Sequence, residues 1–246
     1  MNPEPAFRLF GPAHLVVIGL TVGLPVLFWA TARQPGREGY RKTVRFGLAG
    51  LLLANWIGYE VLRAMDGQFV LVNELPMQLC DWAMFAVIAA LVTCRCGVYE
   101  VAYFWGMAGT LQAILTPNLQ VGFPSLRFIS FFVAHCGIVV AVMYLAAVEG
   151  LRPRAGSIVR AMLWSEVYFA TALIVNHLSG ANFGFLAHKP AGKSLLDYLS
   201  SSHGMYWLEL NLLAVAFYLV LYAPFWARDM VAKEKHKVQM SSEPAE

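Results

Sequence analysis

Apolar residues in this chain come in long stretches rather than in the half-apolar stripes of a soluble core. Seven are readable: 12–32, 43–64, 75–94, 98–117, 126–148, 156–178 and 203–226. As α-helices rising ~1.5 Å per residue, each is long enough to cross a hydrocarbon layer ~30 Å thick. Runs of this length point to helices rather than to the alternating strands of a membrane barrel. The pattern therefore predicts an all-α fold, a polytopic membrane bundle of seven transmembrane helices forming one domain over residues 1–232. A charged, disordered tail, 233–246, is expected to follow. Five of the six connections are short and rich in Gly, Pro or charge. The sixth, from Ser179 to Ser202, carries Gly180, Gly184, Pro190 and Gly192 and is long enough for a lid or a re-entrant cover. Ala30-Thr31-Ala32 has the look of a signal-peptidase site, but the apolar run before it is too long and the next loop too basic, so a retained helix is expected.

Composition agrees with the pattern. Hydrophobic residues make up 59% of the chain and charged residues 13%, about half the ~25% of a soluble domain. The net charge of +3 gives no reason to expect a nucleic-acid partner. The placement of the 18 Lys and Arg residues is more telling. The N-terminus and the even loops hold five (Arg8, Arg63, Arg127, Lys189 and Lys193), whereas the odd loops and the tail hold the other thirteen. Basic loops stay inside, so the N-terminus is expected outside and the C-terminus in the cytoplasm, in a multi-pass protein of the cell membrane. Cys80, Cys94, Cys96 and Cys136 show no disulfide-framework spacing.

With that orientation, polar residues collect at one depth. His14, Glu74, Cys80, Asp81, Gln112, Thr116, Asn118, His135, Asn176, His177, His203, Glu209 and Asn211 all fall at the outer ends or in the outer half of the predicted helices. Ionisable groups inside a membrane are costly and usually face a bundle interior or a wet cavity. An outward-facing polar pocket explains them jointly. The plainer reading, single side chains bonding at the headgroup level, serves His14, His177 and His203 well and Asp81, His135 and Glu209 poorly. Cys80 and His135 form the one pair with nucleophilic chemistry, because an imidazole favours a thiolate. By rise, Cys80 lies ~8 Å into its helix and His135 ~14 Å into its own, which permits contact. A small packing cysteine is the competing reading of Cys80. Metal is a further alternative: Cys80, Asp81, His14, His135 and His177 are zinc-ligand types, but no two histidines stand i, i+4 on a helix. No metal or other cofactor is assigned.

Three stretches carry a family resemblance: Glu74-Leu-Pro-Met-Gln-Leu-Cys80-Asp81, Tyr99 through Pro117, and Phe131-Phe-Val-Ala-His135. Asn182 through Pro190 and Ser194-Leu-Leu-Asp197 add to it. Together they resemble the YwaF family of bacterial integral membrane proteins. That family is similar to a eukaryotic transmembrane acyltransferase that remodels ether phospholipids, and more distantly to the androgen-induced fatty-acid-ester hydrolases. The resemblance implies that Cys80 and His135 match the Cys and His of the acyltransferase. It departs at Phe183, where the family often has Tyr, so a hydroxyl role there is lost.

The expected function is a membrane lipid-active acyltransferase or esterase. Cys80 is the nucleophile toward a phospholipid or fatty-acid ester near the outer half of the bilayer, and His135 is its base. Gln112, Thr116 or Asn118 are the expected oxyanion donors, Asp81 or Glu209 the groups orienting the imidazole, and Glu74 a further supporting residue. The alternatives are a transporter or small-molecule-binding protein using the same pocket, and a structural subunit without chemistry. The absence of evident repeats in the sequence leans against a transporter.

Overall fold

The computed structural model describes residues 5–67, 70–190 and 194–242. Gly192 and Lys193 of the sixth connection and residues 243–246 of the tail lie outside the described residues. Among those described there is no strand, only a single antiparallel bridge between Ala6 and Val121. The long helices are α1 (Pro12–Ala32), α2 (Glu38–Met65), α3 (Leu79–Thr93), α4 (Cys96–Trp105, continued by Gly106–Thr110 and Leu111–Leu115), α5 (Leu126–Ala147), α6 (Ser157–Ser179) and α7 (His203–Ser242), with single helical turns at Leu71–Glu74, Phe183–Phe185 and Leu195–Tyr198. By length and composition four of them, α1, α5, α6 and α7 through Glu234, are long and apolar enough to cross a membrane. Their outward faces are correspondingly greasy: Val22 is 65% exposed, Leu163 62% and Val220 69%.

α5 is the axis of the bundle. Eleven of its 22 residues are buried, against four of 21 in α1, and α1, α2, α3 and the middle of α4 all pack on it. Two glycines allow the closest approaches. A Cβ on Gly137 would stand 2.8 Å from Leu52 of α2, and one on Gly106 3.0 Å from Ile138 and 3.2 Å from Val142 of α5. Gly106 opens a π-helical turn, Gly106–Thr110, inside α4. That turn holds one residue more than an α turn and so rotates everything after it about the helix axis.

Ion pairs fasten the end where most of the basic residues lie. Glu100 is fully buried, and its carboxylate accepts from Arg154 at 2.9 Å and Arg160 at 2.7 Å. Arg41 at the start of α2 pairs with Glu149 just past α5 at 2.8 Å, and Arg152 pairs with Asp229 of α7. A carboxylate this buried is tolerable only with such partners.

Helix starts differ from the apolar runs where local chemistry intervenes. Leu75 is extended (φ −60°, ψ 132°), as a residue before proline prefers, and α3 begins only at Leu79. Its start is set by a capping box: the Gln78 side chain accepts from the Asp81 N–H, and the Asp81 carboxylate accepts from the Gln78 N–H at 2.9 Å. α2 begins at Glu38 rather than 43, and α7 continues to Ser242.

Replacing Gly106 by Leu should destabilise the protein by about 1–3 kcal/mol through overpacking against α5. Gly47→Ala, where nothing lies within 4 Å, should be neutral or slightly stabilising. Thermal unfolding of the two variants in detergent checks the contrast.

Candidate functional site

Where α2 ends and α3 and α5 begin, the bundle encloses a cavity of about 220 Å³. Asn55, Trp56, Tyr59 and Glu60 reach it from α2, and Glu74, Leu75, Pro76 and Gln78 from the connection. Cys80, Asp81 and Met84 of α3 and Arg127, Ser130, Phe131, Ala134, His135 and Ile138 of α5 complete the wall. Four residues expected at one site, Cys80, His135, Asp81 and Glu74, therefore share one cavity. The capping box makes Cys80 the second residue of α3 rather than one placed a full turn in. In that first turn the Asp81 N–H is taken by Gln78, the Leu79 and Cys80 N–H groups have no intrahelical acceptor, and the helix dipole favours negative charge.

His135 is held by its own helix. Its Nδ1 lies 2.7 Å from the Phe131 carbonyl, which can only accept, so Nδ1 carries a proton. Nε2 is then the ring nitrogen free to take one. The Phe131 ring stacks on the imidazole with centroids 4.0 Å apart. The orienting group is therefore a backbone carbonyl one turn back, and neither Asp81 nor Glu209 fills that role. Asp81 caps α3. Glu209 does not line the cavity; its carboxylate accepts from the Ser200 N–H beside the start of α7.

The three expected oxyanion donors need a similar correction. Gln112, Thr116 and Asn118 are exposed and none lines the cavity; the Thr116 hydroxyl donates to the Gln112 carbonyl at 3.1 Å. Depth along α4 was readable from sequence, but the face was not, because the π turn at Gly106–Thr110 rotates Gln112 away. Residues the sequence reading passed over take places in the wall, Glu60 first among them. Its carboxyl meets that of Glu74, which also pairs with Arg63 at 2.6 Å. Glu60 ends an apolar run, where a charge reads as a headgroup-level residue; only its spacing to Arg63, one helical turn on, hinted otherwise.

The histidines divide. His14 is 1% exposed; its Nδ1 accepts from the Phe10 N–H at 3.0 Å, so its Nε2 donates to the Ile114 carbonyl at 2.8 Å. Both nitrogens are thus engaged, Nδ1 with the segment that leads into α1 and Nε2 in tying α1 to the end of α4. His177 and His203 are exposed. Among the described residues no three His, Cys, Asp or Glu side chains are grouped to hold a metal ion.

The sixth connection is a brace rather than a lid. None of its described residues lines the cavity. The Gly184 N–H donates to Gln78 Oε1 at 3.2 Å, Asn176 bonds both polar groups of the Phe183 backbone, and Trp207 donates to the Leu186 carbonyl at 3.0 Å.

The model of the TMEM164 family matches residues 9–222. An uncharacterized protein of Treponema pallidum (strain Nichols) is 28% identical over 225 residues, 89% of this chain and 90% of that protein. No solved structure matches. The family description carries no activity. With the apolar helices it marks a membrane protein, whose environment is a lipid bilayer.

Cys80 faces the cavity, while Cys136 is buried on α5 in the cluster behind His14. A small methanethiosulfonate reagent should therefore modify Cys80 well before Cys136. Peptide mass spectrometry against a Cys80→Ser control checks the order, and equal protection of both thiols would contradict the cavity.

Proposed function

The chain belongs to the TMEM164 family, and from that premise we propose that it is a lipid-active membrane enzyme, an acyltransferase or esterase acting on an acyl ester. The observation that carries this reading is the shared wall: Cys80 in the first turn of α3 and His135, whose Nε2 is the ring nitrogen left to accept a proton, line one cavity. The YwaF-like motifs and their likeness to an ether-phospholipid acyltransferase point the same way.

The chemistry runs in two halves. His135 Nε2 takes the Cys80 thiol proton as Sγ bonds to the ester carbonyl carbon. The tetrahedral oxyanion faces the Cys80 N–H in the first turn of α3, which takes the place of the α4 side chains as donor. Collapse breaks the C–O bond, His135 returns its proton to the leaving alkoxide, and a thioester remains on Cys80. An acceptor hydroxyl, or water, then gives its proton to His135 and attacks the thioester, and Cys80 leaves as the protonated thiol. The acceptor decides between transfer and hydrolysis. The substrate is a membrane phospholipid or fatty-acid ester.

We further propose seven spans, with the N-terminus outside and the site in the outer half of the bilayer. Support comes from the Lys and Arg distribution and from the cavity's position at the helix ends opposite the Glu100 and Glu149 ion pairs. A second reading, a binding or transport protein, is favoured by one observation: Glu60 Oε2 is buried with no hydrogen-bond partner among the described residues, which suits a solute bearing donors.

Cys80→Ser and His135→Ala should each abolish acyl release from lipid esters with folding intact, and the double variant should be little worse than either single. Gln112→Ala should leave turnover within a factor of about two, as expected of an interaction not made in the transition state. Turnover retained in Cys80→Ser would remove the thiol mechanism and favour the binding reading. For topology, single cysteines at Ser201 and Gln34 in a Cys-less chain should label with an impermeant maleimide from opposite sides of the membrane. Reaction of both in intact cells would end the seven-span arrangement.

A further inference from the structure

The cavity between α2, α3 and α5 has two chemically different ends. Its mouth is polar, with Glu60, Glu74, Gln78 and the exposed Arg127 in the wall. Its deep end is apolar and shut by Met84 of α3 and Ile138 of α5, which are 2% and 1% exposed. Both stand one turn below the reacting pair. Met84 follows Cys80 by four residues and Ile138 follows His135 by three, spacings that put each pair on one helix face. Ile138 is backed by α4 at Gly106, whose backbone comes so close that a Cβ there would stand 3.0 Å from the Ile138 side chain. The flanks are covered as well. The Trp56 ring of α2 meets Phe85, the neighbour of Met84, edge-on with centroids 5.3 Å apart, and the Asn55 amide of α2 donates to the Ser130 carbonyl of α5 at 3.1 Å.

We infer that Met84 and Ile138 determine specificity at this site, limiting the acyl group beyond the ester carbonyl to about four carbons, the length that fits the ~6 Å of helix rise from Cys80 to Met84. Given the acyltransferase or esterase reading on which this rests, the substrate is a lipid ester whose reacting acyl group is short, and esters of long-chain fatty acids are selected against. Polarity decides which half of the ester lies where. The alkoxide half carries the polar groups of a phospholipid and matches the carboxyl, amide and guanidinium groups at the mouth. The acyl half is hydrocarbon and matches the thioether and the branched alkyl group at the deep end. A longer acyl chain in that orientation meets two side chains already packed into the core, and a filled interior yields only by displacing neighbours. Neither Met84 nor Ile138 offers a group to the proton or the oxyanion, so they select the substrate and take no part in bond making.

Two measurements on the full chain in lipid nanodiscs test this. The first needs no turnover. Ethyl, butyl and octyl methanethiosulfonates transfer an alkylthio group to Cys80 Sγ and release methanesulfinate, in a chain whose other cysteines are replaced by alanine. Rates are taken relative to a single cysteine at Val22→Cys, 65% exposed on α1, which corrects for partition into the bilayer. The ethyl and butyl reagents should react at similar relative rates and the octyl reagent at least roughly tenfold more slowly, the least that one methylene too many costs in an apolar pocket. Met84→Ala should recover most of that loss, whereas Leu91→Ala, equally buried but outside the cavity wall, should recover none. The second measurement is acyl release from matched butanoyl and octanoyl phospholipids. The wild type should prefer butanoyl at least roughly tenfold in kcat/KM, and Met84→Ala should bring the ratio towards one. If Met84→Ala does not fold, Ile138→Val, which removes a single methyl, must shift both ratios in the same direction. Equal relative rates for the butyl and octyl reagents overturn the inference whatever the turnover. Faster release of octanoyl than of butanoyl overturns it while keeping the enzyme. A reagent cut-off with no acyl released at either length removes the enzyme, and acyl selection with it, but leaves the closed end standing.

Discussion

A backbone carbonyl or amide inside hydrocarbon has no water to bond, and this constraint governs where polar chemistry can sit in the molecule. Helices satisfy the constraint along their length and break it at their ends. The first-turn N–H groups of α3 and the carboxyl groups of Glu60 and Glu74 therefore gather where helices stop and start. The same rule dresses the opposite end, where Glu100 is wholly buried but held by two guanidinium groups. Between these polar ends the molecule is apolar packing about α5.

His135 shows how the cavity wall and the core share one element. The carbonyl of Phe131 is already committed to the helix, yet it also accepts a hydrogen bond from Nδ1–H, and the Phe131 ring covers the imidazole face. No separate acidic residue is needed to fix the tautomer. The imidazole that lines the cavity is thereby fixed by the helix that forms the core. Distortion of α5 would consequently displace that imidazole as well.

Much of this was legible in the sequence, and the failures share a cause. The apolar runs locate α1 and α5 to within a residue because nothing but length and hydropathy determines them. Cys80, His135, Asp81 and Glu74 could be gathered by depth, since charge asymmetry orients the chain and rise per residue does the rest. Side-chain direction was the missing quantity. The π turn of α4 turns Gln112 outward, and a uniform helical period cannot reveal it. Gln78 and Asp81 form a capping box that lacks the usual Ser or Thr, so the sequence does not mark the start of α3, and Asp81 caps that helix while a carbonyl orients the imidazole. Glu60 stands near the end of its apolar run and has the look of a boundary residue.

Gln78 joins two parts of the molecule that are far apart in sequence. Its side chain closes the first turn of α3 beneath Cys80, and the same amide oxygen receives the Gly184 N–H from the sixth connection. Tyr168 adds a second tether by donating to the Met77 carbonyl at 3.2 Å, and a side chain at Gly184 would strike that hydroxyl at 2.7 Å. The loop is thus a tensioner on the residue that carries the thiol. Its length is not free to drift as surface loops usually are: an insertion between Gly180 and Phe185 would be transmitted through one glutamine to the register of Cys80.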